Sequence, residues 1–61
     1  MKINIGDSVE DKEKIRGKVI EIITHNPLNP IEDHGFITVL QDDGTEEHYA
    51  EFNWEKYLRI L

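Results

Sequence analysis

The chain has 61 residues, 13 of them acidic and seven basic, and a formal net charge of −6 at pH 7. It contains no cysteine, and no apolar run approaches the roughly 20 residues that a membrane-spanning helix needs; disulfides, thiolate metal sites and a helical span are therefore excluded. The acidic balance also weighs against binding through phosphates, which uses a basic surface. We expect one cytoplasmic domain over residues 1–61, with an N-terminus too polar for a signal peptide.

The N-terminal part of the chain predicts short extended segments separated by polar turns. Residues 1–5 alternate polar and apolar side chains and predict a first edge strand. Residues 6–7 (Gly-Asp) indicate a turn, and residues 8–9 begin an extended segment. The charge run of residues 10–14 (EDKEK) has no apolar face, which is typical of a solvated loop.

The second strand is predicted over residues 15–24 (IRGKVIEIIT), which are rich in Ile and Val. Apolar side chains fall on both of its faces, as in a strongly bent strand, and Gly17 is the expected bend point. A helix over residues 11–24 is the alternative; Gly17 and the β-branched second half disfavour it.

A loop is predicted over residues 25–34 (HNPLNPIEDH), because each proline removes a backbone donor and pushes the preceding residue away from helix. Ten residues make a long connection in so small a domain. A binding loop and an inert turn are equally good interpretations. For the first of them, Leu28, Glu32 and Asp33 are the candidate contact residues.

The C-terminal half predicts a hairpin followed by one helical turn and a closing strand. Residues 36–41 form the first strand of the hairpin, and Asp43-Gly44 predicts a primed two-residue turn because glycine accepts positive φ. Residues 46–52 form the return strand. Asn53 is expected to cap a single turn over residues 54–57, before a short strand at residues 58–61.

These elements predict an all-β fold with five strands and one short 3-10 or helical turn before the last strand. Closing the sheet into a small barrel would remove its exposed edges. Fourteen side chains form the predicted core: Ile5, Val9, Val19, Ile20, Ile22, Phe36, Ile37, Val39, Leu40, Tyr49, Phe52, Trp54, Leu58 and Ile60.

Three pieces of the chain resemble an SH3-like small barrel of the KOW or Tudor kind. Residues 6–9 (GDSV) look like the opening of such domains, and residues 14–22 (KIRGKVIEI) are similar to the KOW core strand. Residues 36–60 match the hairpin, helical turn and closing strand. The resemblance covers most of residues 6–61 and implies a non-catalytic adaptor that binds a peptide or a nucleic acid.

No residue constellation predicts catalysis, a cofactor or a metal site. His25, His34 and His48, with Asp33 or Glu47 as a fourth ligand, match no standard zinc spacing. The chain shows no paired nucleophile and base, no phosphate-binding glycine loop and no cofactor fingerprint. We therefore expect a non-enzymatic protein without a cofactor.

The first functional hypothesis is a domain that binds another protein. Tyr49, Trp54 and Tyr57 lie beside Glu51 and Glu55 in the sequence, a combination that suits a basic or proline-containing peptide. Packing in the core is the alternative interpretation, favoured for Trp54.

A sharper version of this hypothesis is an acidic inhibitor of a host protein, of the phage or mobile-element type, that imitates the negative surface of DNA. Solubilising charge is the alternative interpretation of its carboxylates. The imitating carboxylates would be Glu32, Asp33, Asp42, Asp43, Glu46, Glu47, Glu51 and Glu55.

The second functional hypothesis is a KOW-like accessory domain associated with nucleic acid or ribonucleoprotein. Lys14, Arg16 and Lys18 form its basic patch, and Arg16 and Lys18 share one face if they lie on a strand. We expect a monomer, or a weak dimer paired through residues 3–5.

Overall fold

The computed structural model describes residues 3–24 and 35–61, which form one antiparallel sheet and one 3-10 helix. Residues 1–2 and the predicted loop at 25–34, with its candidate contacts Leu28, Glu32 and Asp33, lie outside the described residues. The elements are β1 (Ser8–Asp11), β2 (Arg16–Ile23), β3 (Phe36–Gln41), β4 (Glu46–Ala50), the 3-10 helix (Glu51–Lys56) and β5 (Leu58–Ile60).

The strands lie in the order β4-β3-β2-β1-β5, and every neighbouring pair is antiparallel. The all-β class, the five strands and the short 3-10 helix before the last strand are therefore confirmed. In the part of the chain that the structure describes, β4 and β5 are the two edges of the sheet and do not pair. The sheet is open, and the predicted closed barrel is not shown.

The N-terminal segment forms a turn, so the prediction of an edge strand there is wrong for residues 3–5. The Asp7 carboxylate accepts the N–H of Asn4 (2.8 Å), and Gly6 between them has a φ of 97°. The turn carries the Ile3 side chain into the core, where it is 2% exposed, and leaves Ile5 65% exposed.

Glu10 belongs to β1 and is buried, with 8% of its surface exposed, so the predicted solvated loop begins later than expected. Its cross-strand neighbours are Arg16 on β2 and Arg59 on β5. The Glu10 carboxylate accepts hydrogen bonds from Arg16 Nε (3.2 Å) and Arg59 Nη2 (2.7 Å). These two hydrogen bonds lower the pKa of Glu10 below its usual value. One carboxylate thus links three strands.

The linkage predicts an acid-sensitive contribution of Glu10 to stability. Because the folded pKa lies below the unfolded one, the contribution is complete above about pH 4.5 and is lost as the pH falls through the folded pKa. We expect Glu10→Gln to lower the free energy of unfolding at pH 7, and the gap from the parent protein to be smaller at pH 3. Urea denaturation at both pH values measures this difference in the free energy of unfolding. Glu55→Gln is the control, because Glu55 is exposed. A gap of equal size at pH 7 and pH 3 would contradict the argument.

Strand β2 lies between β1 and β3, and its irregularity is not at the predicted bend. The register with β3 shifts between Val19 and Glu21, which places a bulge at Ile20. The bulge explains why Val19 and Ile22, three residues apart, both pack on the core. At Gly17 the pairing is regular on both sides.

The β3–β4 hairpin has a three-residue connection instead of the predicted two-residue primed turn. Gly44 N–H bonds to the Gln41 carbonyl (2.9 Å), and Gln41 N–H bonds to the Thr45 carbonyl (2.8 Å). Of residues 42–44, which form this connection, Gly44 alone has a positive φ (91°). A primed two-residue turn would also require a positive φ at Asp43. Asp43 instead accepts the N–H of Thr45 (2.9 Å), and this hydrogen bond lowers the pKa of Asp43.

The core lies on one face of the sheet, and eight of the fourteen predicted core residues lie in it or against it. The buried apolar set is Ile3, Val9, Val19, Ile37, Val39, Trp54 and Leu58, with Ile22 and Tyr49 packed against it. The prediction was wrong for six residues that are at least 37% exposed: Ile5, Ile20, Phe36, Leu40, Phe52 and Ile60. An open sheet buries one face, so the alternate side chains of β3, Phe36 and Leu40, remain on the other.

The 3-10 helix begins three residues earlier than predicted and has a different cap. Strand β4 ends at Ala50, which is the N-cap residue of the helix, and Glu51 N–H bonds to the Gly35 carbonyl (3.0 Å). Asn53 lies inside the helix, where its φ of −135° produces a kink. The helix places Trp54 against the core and directs Phe52 outward, with 72% of its surface exposed.

Candidate functional site

A groove of about 340 Å³ runs between the β1–β2 turn and the end of the 3-10 helix. Its size is at the lower end of the roughly 300–1,000 Å³ found for ligand pockets. It lies at the rim of the core face, and we call it the acidic groove. Its lining residues are Asp11, Lys12, Glu13, Ile15, Gln41, Glu47, Tyr49 and Tyr57.

Two tyrosines form one wall of the acidic groove. The rings of Tyr49 and Tyr57 have centroids 6.2 Å apart and planes inclined by 34°. Tyr49 is half-buried because β4 places it opposite Ile37 of the core, whereas Tyr57 is 46% exposed. A partner would therefore meet one ring that packs against the core, Tyr49, and one ring that is largely accessible, Tyr57.

Carboxylates surround Tyr49 and make the groove electrostatically negative. Burial raises the pKa of the Tyr49 hydroxyl, and the charges of Asp11, Glu47 and Glu13 raise it further. The three carboxylates come from β1, the following turn and β4, so their convergence is a product of the fold. Lys12 is the positively charged residue of the lining.

Hydrogen bonds within the β1–β2 turn position its acidic side chains. One oxygen of Asp11 accepts the N–H of Glu13 (2.8 Å) and the N–H of Ile15 (2.9 Å). Lys14 takes a φ of 66° to complete the turn. Sequence reasoning placed these residues in a solvated charge run and missed Asp11 and Glu13 as site residues. The available signal was an aspartate positioned to bond its own backbone two and four residues on.

A second hollow continues past the tyrosine pair, lined by His48, Tyr49, Ala50, Asn53 and Tyr57. The side-chain oxygen of Asn53 is buried and receives no hydrogen bond within the described part of the chain. Buried acceptors are normally paired, so Asn53 is an exception among the described residues. Tyr49 and Tyr57 line both this hollow and the acidic groove.

The structure brings together only some of the protein-binding residues that the sequence indicated. Tyr49 and Tyr57 meet in the groove, whereas Trp54 is 7% exposed and packs in the core. Glu51 is half-buried and does not line the acidic groove. Glu55 lines a neighbouring hollow on the far side of Tyr57.

The basic residues of the second hypothesis lie apart from the acidic groove. Arg16 and Lys18 share the outer face of β2, opposite buried Gly17 and Val19, as predicted for a strand. Arg59 lies on the same outer face, because it and Arg16 flank Glu10. Lys14 lies in the turn and lines the hollow beside Glu55. The predicted basic trio is therefore divided between a turn and a sheet face.

Two further findings concern residues 3–24 and 35–61. No group of three or more His, Asp or Glu side chains there is arranged to hold a metal ion, and His25 and His34 lie outside these ranges. None of the helical residues in these ranges forms a segment with the length and apolarity needed to cross a membrane.

Comparisons of the chain with protein-family models, curated proteins and solved structures found no match.

Proposed function

We propose that this chain is a non-enzymatic protein-binding domain whose acidic groove receives a positively charged side chain from an extended segment of its partner. The observation that carries the proposal is the Tyr49–Tyr57 pair facing the carboxylates of Asp11, Glu13 and Glu47 in one groove. The strand order and the position of the 3-10 helix support the resemblance to SH3-like small barrels. We therefore include in the proposal that the domain is an SH3-like small barrel.

The chemistry of the groove favours arginine or lysine over other side chains. A guanidinium or ammonium group near an aromatic face gains about 0.5–1 kcal/mol at exposed sites and more when desolvated. Three carboxylates and one lysine give the lining a net charge of −2, which follows from the lining residues. The charge of −6 on the whole chain would accelerate encounter with a basic partner.

The acidic-inhibitor form of the hypothesis makes a different use of the same charge. It relies on carboxylates spread over the surface, among them Asp42, Asp43, Glu46 and Glu47 of the β3–β4 hairpin, all exposed. A groove concentrates recognition on few groups, whereas imitation of DNA distributes it over many. Local and distributed recognition can be separated by two variants of equal net charge.

We expect Glu13→Gln combined with Glu47→Gln to weaken binding of an arginine-rich peptide about tenfold, since exposed charge pairs contribute roughly 0.2–1 kcal/mol each. The probe is an acetylated, amidated octapeptide of four Thr-Arg repeats, and isothermal titration at low salt measures affinity. The matched control is Glu21→Gln combined with Glu55→Gln, which changes net charge equally outside the groove lining. Equal losses in both variants would favour distributed recognition and reject the groove.

The nucleic-acid hypothesis is kept as the second proposal because Arg16, Lys18 and Arg59 share the outer face of the sheet. Glu10 engages two of these three side chains, which reduces the charge available to phosphates. Retention on heparin at moderate salt would favour this proposal. Retention on an anion exchanger without heparin binding would favour the acidic groove.

A further inference from the structure

Strand β4 forms an edge of the sheet beside the acidic groove. In the described ranges it pairs with β3 alone, over Glu46–Ala50. Its groove-side residues, Glu47 and Tyr49, lie opposite Val39 and Ile37 of the core face. An edge strand presents unpaired N–H and C=O groups to a further strand. The strand that carries Glu47 and Tyr49 thus also has one edge that pairs with no other strand among residues 3–24 and 35–61.

The hydrogen-bond alternation shows which residues of β4 direct their backbone groups outward. Gln41 N–H bonds to the Thr45 carbonyl (2.8 Å), so odd-numbered residues of β3 and β4 bond each other. Val19 of β2 lies opposite Val39, and its N–H and C=O bond to Asp7 and Gly6, on the side of β2 away from β3. The backbone groups of Val39 are therefore directed to β4, in agreement with this alternation. The N–H and C=O groups of Glu46 and His48 therefore point away from β3.

The side chains confirm this phase independently. Thr38 and His48 are directly opposite each other, and Thr38 Oγ1 lies 2.9 Å from His48 Nδ1. Such close side-chain contact is typical of a non-hydrogen-bonded pair, in which the Cα atoms approach more closely. His48 consequently has its backbone groups at the free edge and its side chain on the outer face.

The edge carries acidic side chains and no residue that blocks strand addition. The sequence of β4 is EEHYA, with neither proline nor lysine, the two residues that commonly protect edges. Asp42 and Asp43 add negative charge at the hairpin end of the same strand. Two copies of a chain with a charge of −6 repel each other. The charge therefore favours a basic strand over a second copy as the occupant.

We propose that the partner's basic segment binds as a sixth strand, antiparallel to β4, with alternate side chains entering the acidic groove. This inference rests on the proposed function and specifies its binding mode. Antiparallel addition continues the pattern of every strand pair in the sheet. Main-chain hydrogen bonds then supply affinity, and the groove selects side chains at every second position.

The geometry makes a specific prediction about the ligand backbone. In an antiparallel pair, directly opposite residues share a face. Ligand residues opposite Glu47 and Tyr49 have their side chains in the groove and their own amides directed away from β4. Ligand residues opposite Glu46 and His48 have side chains on the outer face and bond the edge. Arginine should therefore occupy the groove-side positions, with amides that the edge does not use.

The test uses the Thr-Arg octapeptide in three forms: unmodified, N-methylated at every threonine, and N-methylated at every arginine. We expect threonine methylation to weaken binding at least tenfold, and arginine methylation to change it less than threefold. Hydrogen exchange by NMR is the second readout. The Glu46 and His48 amides should exchange about tenfold more slowly at 90% occupancy, since exchange then occurs from the free fraction.

The outcomes separate this inference from the proposed function. If the peptide shifts the Tyr49 and Tyr57 ring signals while the Glu46 and His48 amides stay unprotected, the groove binds and strand addition is wrong. Equal effects of the two methylation patterns, or the reverse pattern, would also overturn antiparallel addition. No binding by any form would reject the proposed function together with the inference. Peptide-independent protection of the edge amides in a dimer would assign the edge to a second copy.

Discussion

Trp54→Ala is expected to lower the free energy of unfolding by about 3–5 kcal/mol, the usual cost of removing a large buried aromatic side chain. Trp54 is 7% exposed and belongs to the buried apolar cluster with Val9, Ile37 and Leu58. A domain of 61 residues has a total stability of roughly 3–9 kcal/mol. The expected loss is therefore at least about a third of the total stability. Urea titration followed by circular dichroism measures it as a lower midpoint than that of the parent protein.

Phe52→Ala is the matched control, because Phe52 lies in the same 3-10 helix and is 72% exposed. Removing it deletes an aromatic ring of similar kind but little buried surface, so the expected loss is below about 1 kcal/mol. Equal losses in the two variants would mean that Trp54 does not anchor the core. A fully folded Trp54→Ala protein with reduced peptide binding would instead return Trp54 to the contact surface.

Gly17→Ala is expected to lower the free energy of unfolding by about 3 kcal/mol, at the upper end of the usual cost of overpacking. A Cβ atom at Gly17 would lie 2.6 Å from the Leu40 carbonyl oxygen and 2.7 Å from Val39 Cγ1. The oxygen belongs to the backbone of the neighbouring strand, so it cannot move without disturbing the β2–β3 pairing. The melting temperature should fall by roughly 10–25 °C for a domain of this size.

Gly44→Ala also adds one Cβ atom, but we expect it to destabilise the fold through a different physical cause. Among the described residues, leaving out the two chain neighbours of Gly44, no atom lies within 4 Å of the added Cβ. The φ of 91° is nevertheless unfavourable for alanine, at a cost of about 1–2 kcal/mol. Gly44→Asn should recover part of this loss, because asparagine tolerates the left-handed region better. If Gly17→Ala were as mild as Gly44→Ala, close strand approach at Gly17 would not be the reason for glycine there.

The two faces of the sheet carry different side-chain chemistry. The acidic groove combines Tyr49 and Tyr57 with carboxylates at the rim of the core face. The outer face carries Arg16 and Arg59, both bonded to Glu10. Glu10→Gln should therefore change stability and phosphate binding more than it changes peptide binding in the acidic groove. This difference makes the two proposals experimentally separable.

Local sequence signals located β2, β3 and the β3–β4 hairpin, but they placed an edge strand at residues 3–5, where the structure has a turn. Runs of β-branched and aromatic residues predicted β2 and β3, because these side chains suit a pleated, half-buried surface. The Asp43-Gly44 pair located the hairpin, although the loop has three residues. Tyr49 and Tyr57 were also named from the sequence, because aromatic side chains near Glu51 and Glu55 suit a basic or proline-containing peptide.

The tertiary structure decided the properties that depend on pairing across the sheet. Glu10 looked like part of a solvated run, and only the positions of Arg16 and Arg59 on neighbouring strands make it a buried link. Asp11 and Glu13 became groove residues because the β1–β2 turn faces Tyr49 of β4, far along the chain. Sequence determines which segments are extended and which residues can turn; register and sheet order determine which side chains meet, because they bring together residues that share no local pattern.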